Sequence, residues 1–267
     1  MNRNSDFVID NDNIFEGTQT AVHFVNSIET SMVRHLDASI RLAMEAKSKL
    51  IPAMAQHSVI AGPPVPDNEK LLGFSGYAFR HLMNNLCSLK GANYLEVGVF
   101  RGSTLICSVY GNEDTLGEVH AIDNYSEFVE GSQEHPRDSY NRFLDLYLPD
   151  TKEKIQFHEG DCFKFDVSTL PKIDIYFYDG EHSADAQYKA FKYFEPVFND
   201  VFIAVVDDWE QRQVRKGTRQ AFEEIGYDVV ATRAIVPPIR DENANRVNNP
   251  TADWWCGTHL AVLKKRV

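Results

Sequence analysis

Tyr94-Leu-Glu-Val-Gly-Val-Phe-Arg-Gly-Ser-Thr104 is the stretch on which the fold of this chain is decided. Tyr94 to Val97 has strand character and runs into a glycine-bearing turn, after which Ser103 or Thr104 can cap a helix. Gly98 lets the backbone pass close to a ligand. The tighter Gly-x-Gly-x-x-Gly of a nicotinamide site is absent. A plain strand-to-helix turn would look much the same, so the weight falls on what surrounds it.

Toward the C-terminus, short apolar segments alternate with helical ones. Glu118–Ile122, Ile155–His158, Ile173–Tyr178, Val201–Val206, Tyr227–Ile235 and His259–Leu263 read as strands. Ser103–Tyr110, Ser139–Leu146, Ala184–Phe198 and Val214–Ile225 read as helices, the last stopped by Gly226. Such alternation predicts an α/β fold with a parallel sheet covered on both faces. With Tyr94–Val97 the sheet has seven strands. The last two are joined by a long loop without a helix and suit a hairpin-like edge, so the final strand is antiparallel.

Toward the N-terminus, residues 1–14 are polar and read as a poorly ordered tail. Between Thr18 and Ile51, Val25, Ile28, Met32, Leu36, Ile40 and Ala43 recur at helical spacing, predicting an amphipathic helix broken at most once. Ala61-Gly-Pro-Pro-Val-Pro66 separates it from a second helix over Asn68–Leu89, whose Leu72, Phe79, Leu82, Met83 and Leu86 can face a core. The organisation expected is therefore a tail and helical extension over 1–66, serving as a lid or oligomerisation element, and a catalytic domain over 67–267.

Composition narrows the class. Apolar residues make up 43% and charged residues 25%, an ordinary globular balance. Runs such as Val201–Val206 fall far short of the roughly 20 residues a membrane span needs. The N-terminus has no apolar stretch of secretory type, which predicts a cytoplasmic protein. A net charge of -12 argues against a nucleic-acid partner, and Arg212, Arg215, Lys216 and Arg219 read as a solvated helix face. Cys87, Cys107, Cys162 and Cys256 are widely spaced, without metal-ligand spacing, and read as reduced core thiols.

The strand ends carry the chemistry. Asp123 closes the second strand 25 residues after Gly98, where its carboxylate can accept hydrogen bonds from both hydroxyls of a ribose. After the third strand comes Glu159-Gly-Asp-Cys-Phe163, in which Asp161 can accept an adenine amino group while Phe163 or a neighbour packs on the ring. An aspartate at one strand end is usually a turn former; three successive ends favour a nucleoside site. Here the chain resembles the class I S-adenosylmethionine-dependent methyltransferases, over about residues 71–263. The resemblance implies a Rossmann-like doubly wound sheet with S-adenosylmethionine as methyl donor. By position, Glu96 would lie near the donor's amino group, and Gly98, Gly102, Ser103, Asp123, Asp161, Cys162, Phe163 and Asp179 would contact the donor.

Tyr176-Phe-Tyr-Asp-Gly-Glu-His182 ends the fourth strand and Val205-Val-Asp-Asp-Trp209 the fifth. Neighbouring strand ends would bring Asp179, Asp207 and Asp208 together, where they repel unless a divalent cation binds them. All-oxygen ligation favours magnesium, with manganese or calcium possible. The plainer alternative is helix capping by Asp207 and Asp208 and a turn at Asp179. His182, three residues beyond Asp179, can take a proton near neutrality or simply cap a helix. These segments resemble metal-dependent sugar O-methyltransferases of natural-product pathways, of the macrocin and mycinamicin type. That implies Asp179, Asp207 and Asp208 as magnesium ligands and His182 as the base, with Asp179 as the next candidate. It also implies a small-molecule glycoside as acceptor, a vicinal diol of a rhamnose-type deoxysugar, and a homo-oligomer. Some relatives have Glu where this chain has Asp207, and residues 1–66 match only in character.

Two rivals stand beside it: a nicotinamide-dependent sugar oxidoreductase, which gives no reason for three carboxylates, and a non-catalytic assembly module, against which the intact acids count. Substrate contacts are expected from the long loop Pro237–Gly257, with Arg240, Arg246, Trp254 and Trp255, and from Tyr125, Phe128 and Tyr140. The two tryptophans would either pack on the acceptor or anchor the loop to the core.

Overall fold

The computed structural model describes residues 9–10, 28–55, 71, 73–126, 134–236, 254 and 256–267. Tyr94–Val97 forms β2, flanked by Ile173–Tyr178 (β5) on one side and Val119–Asp123 (β3) on the other, all parallel. Ile155–Glu159 (β4) continues beyond β3, and Phe198–Val206 (β6) continues beyond β5, again parallel. Thr258–Lys265 (β8) then pairs antiparallel with both β6 and Tyr227–Ile235 (β7). Ile9–Asp10 (β1) adds an antiparallel edge on β7, giving the order β1-β7-β8-β6-β5-β2-β3-β4. The seven predicted strands are all present, the last antiparallel. The eighth, two residues long, falls in the segment read from sequence as a tail.

Both faces are covered, so the strands read as apolar runs rather than as an alternation. Successive residues still serve opposite layers. Tyr94, Ile175, Phe177, Ile203, Val205, Leu260 and Val262 face one side with Leu82, Leu105 and Phe143. Leu95, Val97, Tyr176, Tyr178, Ala204, Val206 and Leu263 face the other with Phe191, Phe194 and Phe222. The first layer is built from Ile28–Met44 (α1), Pro52–Ala55 (α2), Tyr77–Leu86 (α3), Ser103–Val109 (α4) and Pro136–Tyr147 (α5). The second is built from Ala184–Phe194 (α6) and Arg212–Glu224 (α7).

The predicted N-terminal helix is α1, with Met32, Leu36, Ile40 and Ala43 buried in the first layer and Ile28 68% exposed at its start. Its expected onset near Thr18, with Val25, lies outside the described residues. The second predicted helix is Tyr77–Leu86, entered through Gly76 as an extended N-cap with Gly73 pressed against Ser103; its expected onset at Asn68 lies outside the described residues. All four cysteines are free thiols. Among the described residues no helix is long and apolar enough to cross a membrane.

Candidate active site

The carboxyl ends of β2, β3, β5 and β6 form one edge, and the glycine loop lies across it. Gly98 has φ +92, and a Cβ there would sit 2.1 Å from the Asp179 carbonyl oxygen. The close approach that requires glycine is thus to the backbone at the end of β5. Gly102, φ +78, caps α4, and a Cβ there would strike the Tyr140 ring at 2.4 Å. Ser103 begins α4, and its hydroxyl lies 3.0 Å from that of Ser75, which in turn accepts from Arg80 Nε at 2.8 Å.

Asp123 does more in the fold than its sequence position suggests. Oδ2 accepts from the Val99 and Phe100 backbone N–H groups at 2.6 and 2.7 Å, and Oδ1 from Tyr125 N–H at 2.5 Å. Phe100 and Tyr125 both have positive φ, 50 and 52, and this one carboxylate holds both turns. Oδ2 thus accepts twice, while Oδ1 keeps a second lone pair on which a ribose hydroxyl can act. Asp161 caps the short turn that follows β4, accepting from Phe163 N–H at 2.9 Å, and pairs with Lys164 at 3.0 Å. These contacts hold its carboxyl below the usual range. Cys162 is half-buried, its thiol pushed up to about 12 by burial, and Phe163 meets Tyr193 edge-on.

The ends of β5 and β6 differ in kind. Ligand atoms of Asp179, His182 and Asp208 lie within 4.8 Å of one another. His182 Nδ1 is 3.0 Å from Asp208 Oδ2, and Nε2 is 3.6 Å from Asp179 Oδ1. Asp207 stands outside that cluster, 8% exposed, its carboxyl pushed well above the usual range by burial and by Asp179 and Asp208. Burial also lifts Asp179 to about 6, although a third of its side chain remains accessible. Burial would lower the His182 imidazole, but the two carboxylates beside it win and raise it to about 10. The two acids thus favour the protonated form of His182, which answers their charge. The structure thus brings together three of the four residues read from sequence and adds a nitrogen to the expected oxygen ligands.

Several contributors were not legible. Asp208 has φ +54, a strained conformation for a non-glycine residue, and it aims the carboxylate back at β5. Gln211 Nε2 donates to Asp208 Oδ2 at 2.9 Å and lies 3.2 Å from His182 Nδ1. Arg215 holds the turn by donating to the Trp209 and Glu210 carbonyls at 2.7 and 2.6 Å, so the basic face of α7 is in part a clamp. Trp209 stacks on His259 at 4.0 Å with Arg219 on its ring at 6.0 Å. Trp254 is 3% exposed within the first layer, so it anchors its loop. Trp255, Arg240, Arg246 and Phe128 lie outside the described residues. Tyr125 stacks on Phe157, Tyr140 meets the same ring at a tilt, and both are buried.

Residues 95–209, which carry Glu96, Asp123, Asp161, Asp179, Asp207 and Asp208, match the family model of a methyltransferase domain. Over that span the chain is similar to a methyltransferase domain, and its sheet is Rossmann-like. No curated protein matches the chain. Among solved structures it is similar to an O-methyltransferase from Bacillus cereus in complex with SAH, at 13% identity and TM-score 0.47, over 86% of this chain and 91% of that one. It is similar to an SAH-bound methyltransferase from Podospora anserina at 12% identity and TM-score 0.49, over 93% and 100%. TrmN from Thermus thermophilus matches at 11% identity and TM-score 0.47 over 71% of this chain but only 48% of that protein, so the chain spans about half its length.

Proposed function

We propose that the chain is an S-adenosylmethionine-dependent O-methyltransferase that methylates a hydroxyl of a glycosylated small molecule with the help of a divalent cation. The observation that supports this best is the cluster of Asp179, His182 and Asp208 at the ends of β5 and β6, beside the glycine loop and Asp123. Two acids facing each other with only an imidazolium between them suit a bound cation, with Asp207 close behind. Magnesium or manganese would suit the carboxylates of Asp179 and Asp208, leaving the His182 imidazole beside them as the proton acceptor. A bound metal ion would supply Lewis acidity, lowering the pKa of a coordinated hydroxyl.

The protein's own groups do the rest. Glu96, Gly98, Gly102, Ser103, Asp123 and the Asp161–Phe163 turn position the donor, and the enclosed edge aligns the acceptor oxygen with its methyl group. The acceptor O–H loses its proton to His182, with Asp179 as the alternative. The oxygen attacks the methyl carbon, the carbon–sulfur bond breaks, and its electron pair stays on sulfur. A cation on Asp179 and Asp208 removes the reason for His182 to hold its own proton. A vicinal diol, as in a rhamnose-type sugar, offers the two adjacent oxygens that a hard cation chelates. Calorimetric titration with S-adenosylhomocysteine tests the reading. Binding that weakens strongly in Asp123→Ala supports it; tight NADH binding with no response to S-adenosylhomocysteine overturns it.

A further inference from the structure

Phe74 is 53% exposed, and among the described residues no other aromatic side chain is exposed to that degree. A single apolar side chain at a surface needs no explanation. This one is held there by two separate devices. Its ring stacks on that of Phe100, with centroids 5.3 Å apart and planes 15° from parallel, and the Arg101 guanidinium lies 5.3 Å from the Phe100 centroid. Phe100 itself has φ 50, where a bulky residue rarely sits, and its N–H is tied to Asp123 Oδ2 at 2.7 Å. Glycine or asparagine would make the same turn with less strain. Strain kept at a ring-bearing residue points to a use for the ring, and such outliers gather at ligand sites.

The second device is Gly73. It packs on the Ser103 side chain too closely to admit a side chain of its own, and the Ser75 and Ser103 hydroxyls meet at 3.0 Å. Phe74 is thereby fixed, from both of its chain neighbours, to the first residue of α4. The two rings form a flat apolar ledge on the glycine loop, and through Gly98 the same loop abuts the backbone at Asp179. Resting on the glycoside reading above, we propose that Phe74, with Phe100 stacked against it, is a specificity-determining residue that takes a flat aromatic aglycone of the acceptor. A third ring laid on Phe74 extends a stack already two rings long. The hydroxyls of the same molecule belong with Asp179, His182 and Asp208, since the rings offer them no polar partner. An aryl glycoside thus has one end for each kind of surface. Covering the exposed half of a phenylalanine corresponds to about five- to tenfold in affinity.

Ligand-observed NMR titrations test this with two probes, phenyl α-L-rhamnopyranoside and methyl α-L-rhamnopyranoside, on protein saturated with S-adenosylhomocysteine and magnesium. The phenyl glycoside should bind about five- to tenfold more tightly, with the strongest saturation transfer on its ring protons. Phe74→Ala should bring both glycosides to the same affinity while leaving S-adenosylhomocysteine affinity and the melting curve unchanged. Phe74→Tyr, which keeps the ring, should keep the preference. Equal binding of the two glycosides by the wild type, or a preference that survives in Phe74→Ala, overturns the inference and leaves the glycoside reading intact. Weakened S-adenosylhomocysteine binding in Phe74→Ala would assign the ring to the donor and overturn it as well. If neither glycoside binds while S-adenosylhomocysteine does, the glycoside reading itself falls and takes this inference with it.

Discussion

The loop after β2 and the loop after β6 both set acids at the carboxyl edge, and they treat those acids in opposite ways. In the first, the Val99 and Phe100 N–H groups receive Asp123 from the end of β3, and with Tyr125 N–H as a third donor this carboxylate holds two strained turns. In the second, Asp207 and Asp208 are more deeply buried, face Asp179, and have one imidazolium to answer for them. An acid satisfied by the backbone stabilises the scaffold, whereas acids held together against their own repulsion are arranged for something else to bind. Position in the sequence does not separate the two kinds; the partners do.

The largest expected effect lies in the second loop. His182→Ala should slow single-turnover methyl transfer by about 10²–10⁴-fold, the usual range for a lost proton acceptor, while donor affinity holds. A chelator should abolish turnover and magnesium restore it, and Asp208→Ala should lose more rate than Asp207→Ala, since only Asp208 belongs to the cluster. Full activity of Asp208→Ala in chelator would erase the distinction between the loops. Besides weakening donor binding, Asp123→Ala should lower the unfolding free energy by about 2 kcal/mol or more through its orphaned N–H groups, read by denaturant melts. Asp207→Asn should do the reverse and raise the melting temperature of the metal-free protein above neutral pH, because the folded state holds this carboxyl above its unfolded value.

Acid sensitivity should come from two buried histidines instead. His81 and His259 are depressed by burial to about 4 and about 3 in the folded state. The unfolded chain takes up their protons below about 6.5 and the folded one does not. Stability is therefore full above that value and falls with pH below it, by at most ~1.4 kcal/mol per pH unit for each histidine. His259→Phe, which keeps a ring against Trp209, should flatten the profile measured between pH 7 and 5. The smallest effect is that of Arg219→Leu, which should cost about 0.5–1 kcal/mol by removing the cation from the Trp209 ring.

Strands buried on both faces announce themselves, so β2 and β5 have the bounds read from their apolar runs, and the half-exposed β7 also has the bounds read for it. β6 starts earlier than its run, at Phe198, because Asn199 and Asp200 are polar yet still belong to the strand. β1 has too few residues to show a period, and its existence depends wholly on β7. In the site, Asp179 and His182 are legible because three residues separate them across a turn. Gln211 and Arg215 are not, since their roles follow from the reversed backbone at Asp208, which no local pattern signals. Trp254 could be read as platform or anchor, and only its burial decides.

β8 lies between β6 and β7, though it follows both in the chain. Its arrival also closes the turn beside the acids, since Trp209 N–H donates to the Gly257 carbonyl at 3.2 Å and Glu210 N–H to that of Cys256 at 3.1 Å. On a ribosome, where segments emerge in order, β7 must wait with only the two-residue β1 beside it until β8 is made, and the turn after Asp208 waits with it. Assembly of this domain is therefore timed by its last strand. Pulse-labelled amides of β7 should gain protection no earlier than those of β8; β7 protected first, on β6, would show that the sheet passes through a non-native pairing.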